Sequence, residues 1–210
     1  MHVTVVDHPL AAVALTRLRD ETTTRPAFRA ALRNLSRNLV YEASRNLAIT
    51  EIKVVTPMGP TTGISLGADT ELPLLVPVLR AGLGMLDAAL AVLPEARTGF
   101  IGLKRNEDTL QPDVYLDTVP GDLRGQPVMV LDPMLATAGS AIHACQSLRN
   151  ANAGAITVVC VLSAPEGVEA LRAAGTADAH VTASIDSHLN EIGYIVPGLG
   201  DAGDRQFGVD

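Results

Sequence analysis

The stretch MVLDPMLATAGSA, from Met129 to Ala141, holds the residue types best placed to do chemistry. An apolar run ends in the carboxylate of Asp132, then passes Thr137, Gly139 and Ser140 before a second apolar-periodic segment begins. A buried strand that ends in an acid and bends through small, hydroxyl-bearing residues into a helix can hold an anion on free backbone N–H groups. On residue types alone, an ordinary strand-to-helix turn with a Thr or Ser cap is an equal reading. Arg80 extends the theme: it follows the apolar run LLVPVL and precedes a Gly-rich helix start, where a guanidinium can meet phosphate oxygens two at a time. Arg105 sits in the polar stretch KRNEDTLQPDVYLD, and the chain closes on GYIVPGLGDAGDRQFG, in which glycines surround Asp201 and Asp204. No GxxxxGK[ST] is present and no GxGxxG follows a predicted strand, so neither a Walker loop nor a dinucleotide fingerprint accounts for these residues.

The elements that must position these residues follow from periodicity. Phe28, Leu32, Leu35, Leu39 and Ala43 recur at helical spacing, predicting an amphipathic helix from Pro26 to about Leu47, with Thr22, Thr23 and Thr24 as candidate caps. Residues Ile52 to Leu66 carry β-branched residues on both sides of a Pro/Gly turn and read as a hairpin or arm. LLVPVL (Leu74 to Leu79), TGFIGL (Thr98 to Leu103), PVMVLD, AITVVCVL (Ala155 to Leu162) and HVTASI then read as strands. GMLDAALAVL, Gly139 to about Asn150, and PEGVEALRAAG read as the helices between them. Strands alternating with helices imply βαβ units and a mostly parallel sheet flanked by helices, an α/β fold whose ligands bind beyond the C-terminal strand ends. Lys104 to Asp117 and Gly193 to Gly208 do not fit the alternation and read as long site-forming loops. No linker or repeat interrupts the chain, so residues 1–210 are expected to form one domain.

Composition narrows the class. With 210 residues, 47% hydrophobic content, 3% aromatics and no tryptophan, the core must be built from Ala, Val, Leu and Ile, as suits buried parallel strands. A net charge of -7 supplies no basic face for nucleic acid, so a phosphate ligand must be met by a few placed groups. Cys145 and Cys160 show no metal or disulfide spacing and read as core residues; the five histidines show no ligand spacing and are taken as non-catalytic. The N-terminus MHVTVVDHPL lacks a basic n-region, and no run approaches the roughly 18 apolar residues needed to cross a bilayer. No membrane partner is expected, and the cytoplasm is the expected location.

Several segments together resemble one family. LDPMLATAGS resembles the phosphoribosyl-diphosphate (PRPP) loop of type I phosphoribosyltransferases, and its Asp-Pro form is similar to that of the uracil phosphoribosyltransferases. VPVLRAGLGM, KRNEDTLQP, ASIDSHLNEIGYIVPGLGDAGDRQFG, YEA at Tyr41 to Ala43 and APEG at Ala164 to Gly167 resemble further blocks of that family in the same order. The resemblance implies the type I phosphoribosyltransferase fold with a small hood or β-arm, and transfer of ribose 5-phosphate from PRPP to uracil, giving UMP and pyrophosphate in pyrimidine salvage. It assigns PRPP to Arg80, Arg105, Asp132, Asp201 and the loop Pro133, Met134, Leu135, Ala136, Thr137, Ala138, Gly139 and Ser140. Asp132 and Arg105 are the implied catalytic residues, the first holding the ribose hydroxyls and the second covering the pyrophosphate. Uracil falls to Ile195, Gly200, Asp201 and Ala202, with Tyr194 either packing near the nucleotide or serving the core. The resemblance further implies Mg2+ carried by PRPP and possible water-bridged contact to Asp201, a GTP effector in some members, and a homodimer or higher homo-oligomer. Two alternatives remain open: a PRPP-dependent transferase for another base, and a pyrimidine-responsive RNA-binding regulator on the same fold. The chain departs from the family at Ala138, where the loop usually has glycine; if that position needs a positive φ, the methyl group costs about 1–2 kcal/mol.

Overall fold

Both faces of the central strands are apolar, which requires helices on both sides. In the computed structural model, residues 1–67, 70–105 and 112–208 are described, except for the side chains of Arg105 and Pro112. The chain runs β1 (His2–Val5), α1 (Pro9–Arg19), α2 (Arg25–Ala43), β2 (Ile49–Thr56), β3 (Gly59–Leu66), β4 (Leu74–Leu79), α3 (Leu83–Val92), β5 (Ile101–Arg105) and β6 (Pro112–Asp117). It continues through β7 (Val128–Leu131), β8 (Met134–Leu135), α4 (Gly139–Asn150), β9 (Ile156–Ser163), α5 (Pro165–Ala174), β10 (Ala179–Ile185), β11 (His188–Leu189), β12 (Ile195–Val196) and α6 (Ala202–Phe207). The main sheet has the order β1-β10-β9-β7-β4-β5-β6, parallel except for β6, and β8 pairs with the far end of β9. This is the expected mostly parallel sheet flanked by helices.

Strand alternation sorts the core into two layers. Leu75, Met129, Leu131, Val159, Val161 and Val181 point to one face and pack with Leu18 of α1, Phe28, Leu32, Leu35 and Leu39 of α2, and Met85 of α3. Leu74, Val76, Val130, Val158 and Cys160 point to the other face, against Ala141, Ala144, Cys145 and Leu148 of α4 and Val168 and Leu171 of α5. Each fully buried leucine contributes about 1.5–3 kcal/mol relative to exposure. Both cysteines are buried free thiols in this second layer, where burial pushes the Cys145 thiol up to about 12 and Cys160 well above its usual value.

The helix connections reverse direction at β4 and β7. From β4 the chain passes through α3 to β5 on one side, and from β7 through α4 to β9 on the other. Adjacent parallel strands whose connections diverge leave a crevice at their C-terminal ends, and those ends carry Arg80 and Asp132.

Three segments differ from the sequence expectation. Lys104 to Asp117 is not a loop throughout: β5 extends to Arg105, and Pro112–Asp117 pairs antiparallel with it as an edge strand. Val114, Tyr115 and Leu116 favour strand structure, and the unpaired edge of β5 was available to them. The Thr98 to Leu103 strand starts late, because Thr98 makes only an isolated bridge to Leu75 and the ladder opens at Ile101. The glycine-rich tail contains a short helix, α6, whose N-cap is Asp201. The expected arm is present as the antiparallel β2–β3 hairpin, with Ile52, Val55, Met58 and Ile64 exposed along it. Among the described residues no helix is long and apolar enough to cross a membrane.

Candidate active site

The loop after β7 is fastened along one side. Asp132 N–H donates to the Val159 carbonyl (3.1 Å), and the Pro133 carbonyl accepts from Val161 (2.9 Å) and Leu162 (3.1 Å). Ala164 N–H donates to the Leu135 carbonyl (2.9 Å). Gly167, at the start of α5, lies so close to the Ala136 and Leu135 carbonyls that a β-carbon there would overlap them. Residues 133–136 are therefore held by β9 and α5 with little room to shift, and the opposite side of the loop is left open.

The chain then turns sharply. Ala138 adopts φ 65 and ψ 3, the left-handed region, and is the N-cap of α4. No side chain caps this helix. The capped-turn reading open at the sequence level therefore does not hold: Thr137 and Ser140 are exposed, and neither hydroxyl caps the helix. The first intrahelical bond runs from Ile142 N–H to the Ala138 carbonyl (2.8 Å), which leaves the N–H groups before it without helical partners. An uncapped N-terminus with adjacent hydroxyls is the arrangement that receives a phosphate, with roughly 0.3–1 kcal/mol added by the helix dipole.

Asp132 marks the inner end of the loop. Burial pushes its carboxyl up to about 7, against the opposing effect of a hydrogen bond from Met134 N–H. Arg80, at the end of β4, is exposed and has no side-chain hydrogen bond or ion pair among the described residues. The turn beneath it is tightly packed, since a β-carbon at Gly82 would overlap the Leu131 carbonyl just before Asp132. Arg105 ends β5, and its side chain lies outside the described residues.

The tail supplies the opposite wall. A cleft of about 640 Å³ is lined by Met134, Ala136, Thr137 and Ser140 on one side and by Ile195, Gly200, Asp201 and Ala202 on the other. Residues assigned separately to PRPP and to uracil thus face each other across one cavity. Asp132, Arg80, Pro133, Leu135, Ala138 and Gly139 do not line this cleft. Asp201 Oδ1 accepts from Asp204 N–H (2.8 Å), so one carboxylate oxygen caps α6. Gly200 has φ 77, and Gly198, φ 63, lies so close to the Ile195 carbonyl that a β-carbon would overlap it. Glycine is required at Gly198 on both counts. Among the described residues, no group of three or more His, Cys, Asp or Glu side chains could hold a metal ion.

Several contributors escaped the sequence reading. Glu191, Ile192 and Gly193 also line the cleft, on a loop in which Asn190 Oδ1 accepts from Ile192 N–H (3.2 Å) and Tyr194 N–H (2.9 Å). Tyr194 lines the cleft and is half-exposed, which excludes simple core packing for it. An Asn followed by Gly three residues later was the available signal for that turn. His180 is buried, its Nδ1 donating to the Val158 carbonyl (3.1 Å) and its Nε2 paired with the Ser163 hydroxyl (2.8 Å), and burial lowers its pKa to about 4. It is a neutral core histidine.

Comparison with known proteins gives this geometry its context. A family model described as uracil phosphoribosyltransferase matches residues 5–209. The chain is 52% identical over 208 residues to a uracil phosphoribosyltransferase of Corynebacterium diphtheriae, covering 99% of this chain and 97% of that protein. It is 51% identical over 210 residues to one from Streptomyces avermitilis, covering 99% of each. A solved Aquifex aeolicus protein superposes with a TM-score of 0.89 at 36% identity, covering 99% of both chains. An adenine phosphoribosyltransferase structure from Leishmania donovani shares the fold, with a TM-score of 0.59 at 14% identity over 91% of this chain and 87% of that one. A match of this kind, spanning the loop after β7, the β4 turn and the glycine-rich tail alike, means that the chain belongs to the uracil phosphoribosyltransferase family.

Proposed function

We propose that the protein transfers ribose 5-phosphate from PRPP to N1 of uracil. The observation that carries this reading is the uncapped N-terminus of α4, set across one cleft from the glycine-rich segment Ile195 to Ala202. The C1–O bond to pyrophosphate breaks, the C1–N1 bond forms, and the N1 proton is released. Positive charge grows on the ribose ring while negative charge grows on the leaving group, so the protein has to hold the reactants in line and stabilise both charges.

The 5′-phosphate is received by the free N–H groups and hydroxyls of Thr137 to Ser140. The ribose hydroxyls donate to Asp132, at the C-terminal end of β7. Arg80 and Arg105 meet the pyrophosphate oxygens, Arg80 being without a competing protein partner among the described residues. Magnesium, when carried in by PRPP, neutralises pyrophosphate charge. Asp201, one of whose oxygens caps α6, would have its second carboxylate oxygen to meet that magnesium through water.

Uracil presents a flat edge of two carbonyls and an N–H, which backbone groups of Ile195, Gly200 and Ala202 can read at close approach. The amino group of cytosine would place a donor where a buried backbone donor expects an acceptor, costing about 1–3 kcal/mol. The chain is proposed to work as one domain and as a homo-oligomer, the exposed β2–β3 arm being the surface offered for self-association; a GTP effector has no assigned residues. The test is product analysis: with PRPP, Mg2+ and uracil, the expected products are UMP and pyrophosphate in equal amounts. Consumption of PRPP without UMP would exclude the proposed reaction.

A further inference from the structure

The base-side wall of the cleft has a support that lies outside the cleft. Asp186, at the end of β10, has a side chain only 2% exposed, and Arg19, at the end of α1, grips it with Nη1 to Oδ2 (2.7 Å) and Nη2 to Oδ1 (2.6 Å). Oδ2 also accepts from Gly198 N–H (2.9 Å), and Oδ1 accepts from the Ser184 hydroxyl (2.8 Å). Arg19 Nη1 in turn donates to the Gly198 carbonyl (2.8 Å). Both backbone polar groups of Gly198 are therefore held by the two members of one ion pair, and Gly198 packs directly on the Ile195 carbonyl. Burial alone would push the Asp186 carboxyl up, but the Arg19 guanidinium, the Ser184 hydroxyl and Gly198 N–H together hold it below the usual carboxylate range.

We infer that Arg19 and Asp186 are positioning residues for uracil, fixing the Ile195 and Gly200 backbone at the separation the base requires. The inference rests on the assignment of uracil to that segment. Neither residue lines the cleft, so neither touches substrate. Arg205 braces the same region from the other side, donating to the Leu199 carbonyl (2.8 Å) and to Leu18 and Asp20 carbonyls at the end of α1. The C-terminal end of α1 is thus joined to the base segment at two places, whereas the phosphate loop is held independently by β9 and α5. That separation makes the inference specific: slackening the pair should loosen the base and leave the grip of the phosphate loop on PRPP unchanged. A bidentate Arg–carboxylate pair is sensitive to geometry, so Arg19→Lys keeps the charge and loses the fork.

The experiment measures KM for each substrate and kcat in Arg19→Lys, Asp186→Asn and Ser184→Ala. Arg19→Lys and Asp186→Asn should raise KM for uracil by about tenfold, since a displacement near 1 Å at a binding site has effects of this size or larger, while KM for PRPP stays within about twofold. Ser184→Ala, which removes the hydroxyl that donates to Asp186 and accepts from Arg19 Nη2 (3.3 Å) but no charge, should raise KM for uracil by about two- to threefold. A purely structural role would lower the folded fraction, reducing kcat and leaving both KM values unchanged; that result overturns the inference, as does an equal rise in both KM values. If Asp186→Asn does not fold, the two milder variants still decide the matter. Absence of UMP formation by the wild-type protein would instead sink the proposed function, and the inference with it.

Discussion

The Gln206 side chain is wedged against Gly84: a β-carbon at position 84 would overlap its Oε1. Gln206 is fully buried and donates from Nε2 to the Ala81 carbonyl (3.1 Å) and the Ala202 carbonyl (2.8 Å), joining α6 to the turn that follows Arg80. Among the described residues its Oε1 has no hydrogen-bond partner and faces Gly84.

That relationship reverses a usual trend. Gly to Ala inside a helix normally stabilises by about 0.5–1 kcal/mol. At Gly84 the methyl would push Gln206 off two buried carbonyls, so Gly84→Ala is expected to destabilise by about 1–3 kcal/mol in denaturant melts. Shortening Gln206 should remove the tighter of two conflicts, leaving the more flexible Leu32 side chain close to the new methyl, so the penalty should shrink when Gly84→Ala is made in a Gln206→Ala background. Additive effects of the two changes would contradict the interlock.

Ala138 does occupy a left-handed position, so its methyl is strained, yet it is only 5% exposed and packs with the α4–α5 core layer. Strain of about 1–2 kcal/mol is opposed by up to about 0.8 kcal/mol of methyl burial and about 0.4–1 kcal/mol of unfolded-state entropy that glycine would add. Ala138→Gly should therefore change stability by less than about 1 kcal/mol and leave KM for PRPP unchanged or lower. A clear rise in that KM would show that the methyl shapes the phosphate loop.

Asp132 links activity to pH. Its folded value of about 7 exceeds the ~3.9 of an unfolded aspartate, so the folded chain keeps a proton that the unfolded chain has released between those values. The stability it contributes is present in full below about pH 4 and is lost as pH rises through about 7. Asp132→Asn carries no such cost and should melt higher than wild type at pH 8, with kcat/KM reduced at least tenfold in the same buffer. Conversely, KM for PRPP in the wild type should rise as pH falls below about 7, because the protonated carboxyl accepts ribose hydroxyls poorly. A flat profile, together with an Asn variant that melts lower, would remove Asp132 from its assigned place.

Arg80 and Arg105 should differ from the base-side residues in which substrate they affect. Arg80→Ala and Arg105→Ala are expected to raise KM for PRPP by about tenfold or more, given the worth of charge-assisted contacts to phosphate, with KM for uracil changed much less. The wild-type preference for one substrate arm in each variant is read from initial rates with the second substrate saturating. Unchanged PRPP kinetics in both would take the arginines out of the site.

The strands, the helices between them and the strand-end chemistry were legible in the sequence because each rests on local period and on residues within one loop. Asp132, Thr137 and Ser140 announced themselves by following a strand of four buried residues. What the sequence left hidden was produced by contacts between distant segments. β1 and α1 carry modest patterns, and their importance comes from Arg19 reaching Asp186 across 167 positions. Gln206 sits in a tail that reads as loop, and only packing against Gly84 and Ala81 makes it structural. The β6 strand was masked by its polar, proline-containing approach and emerges because β5 offers it an edge.

The central claim, that the cleft between the α4 N-terminus and the Ile195–Ala202 segment joins uracil to PRPP, is tested most directly by a competition among bases. With PRPP and Mg2+ held constant, kcat/KM is measured for uracil, cytosine, orotate, hypoxanthine and adenine. Uracil should exceed each of the others by at least tenfold, with cytosine penalised by its amino group and orotate by a carboxylate facing Asp201. Preferred turnover of any other base would contradict the account.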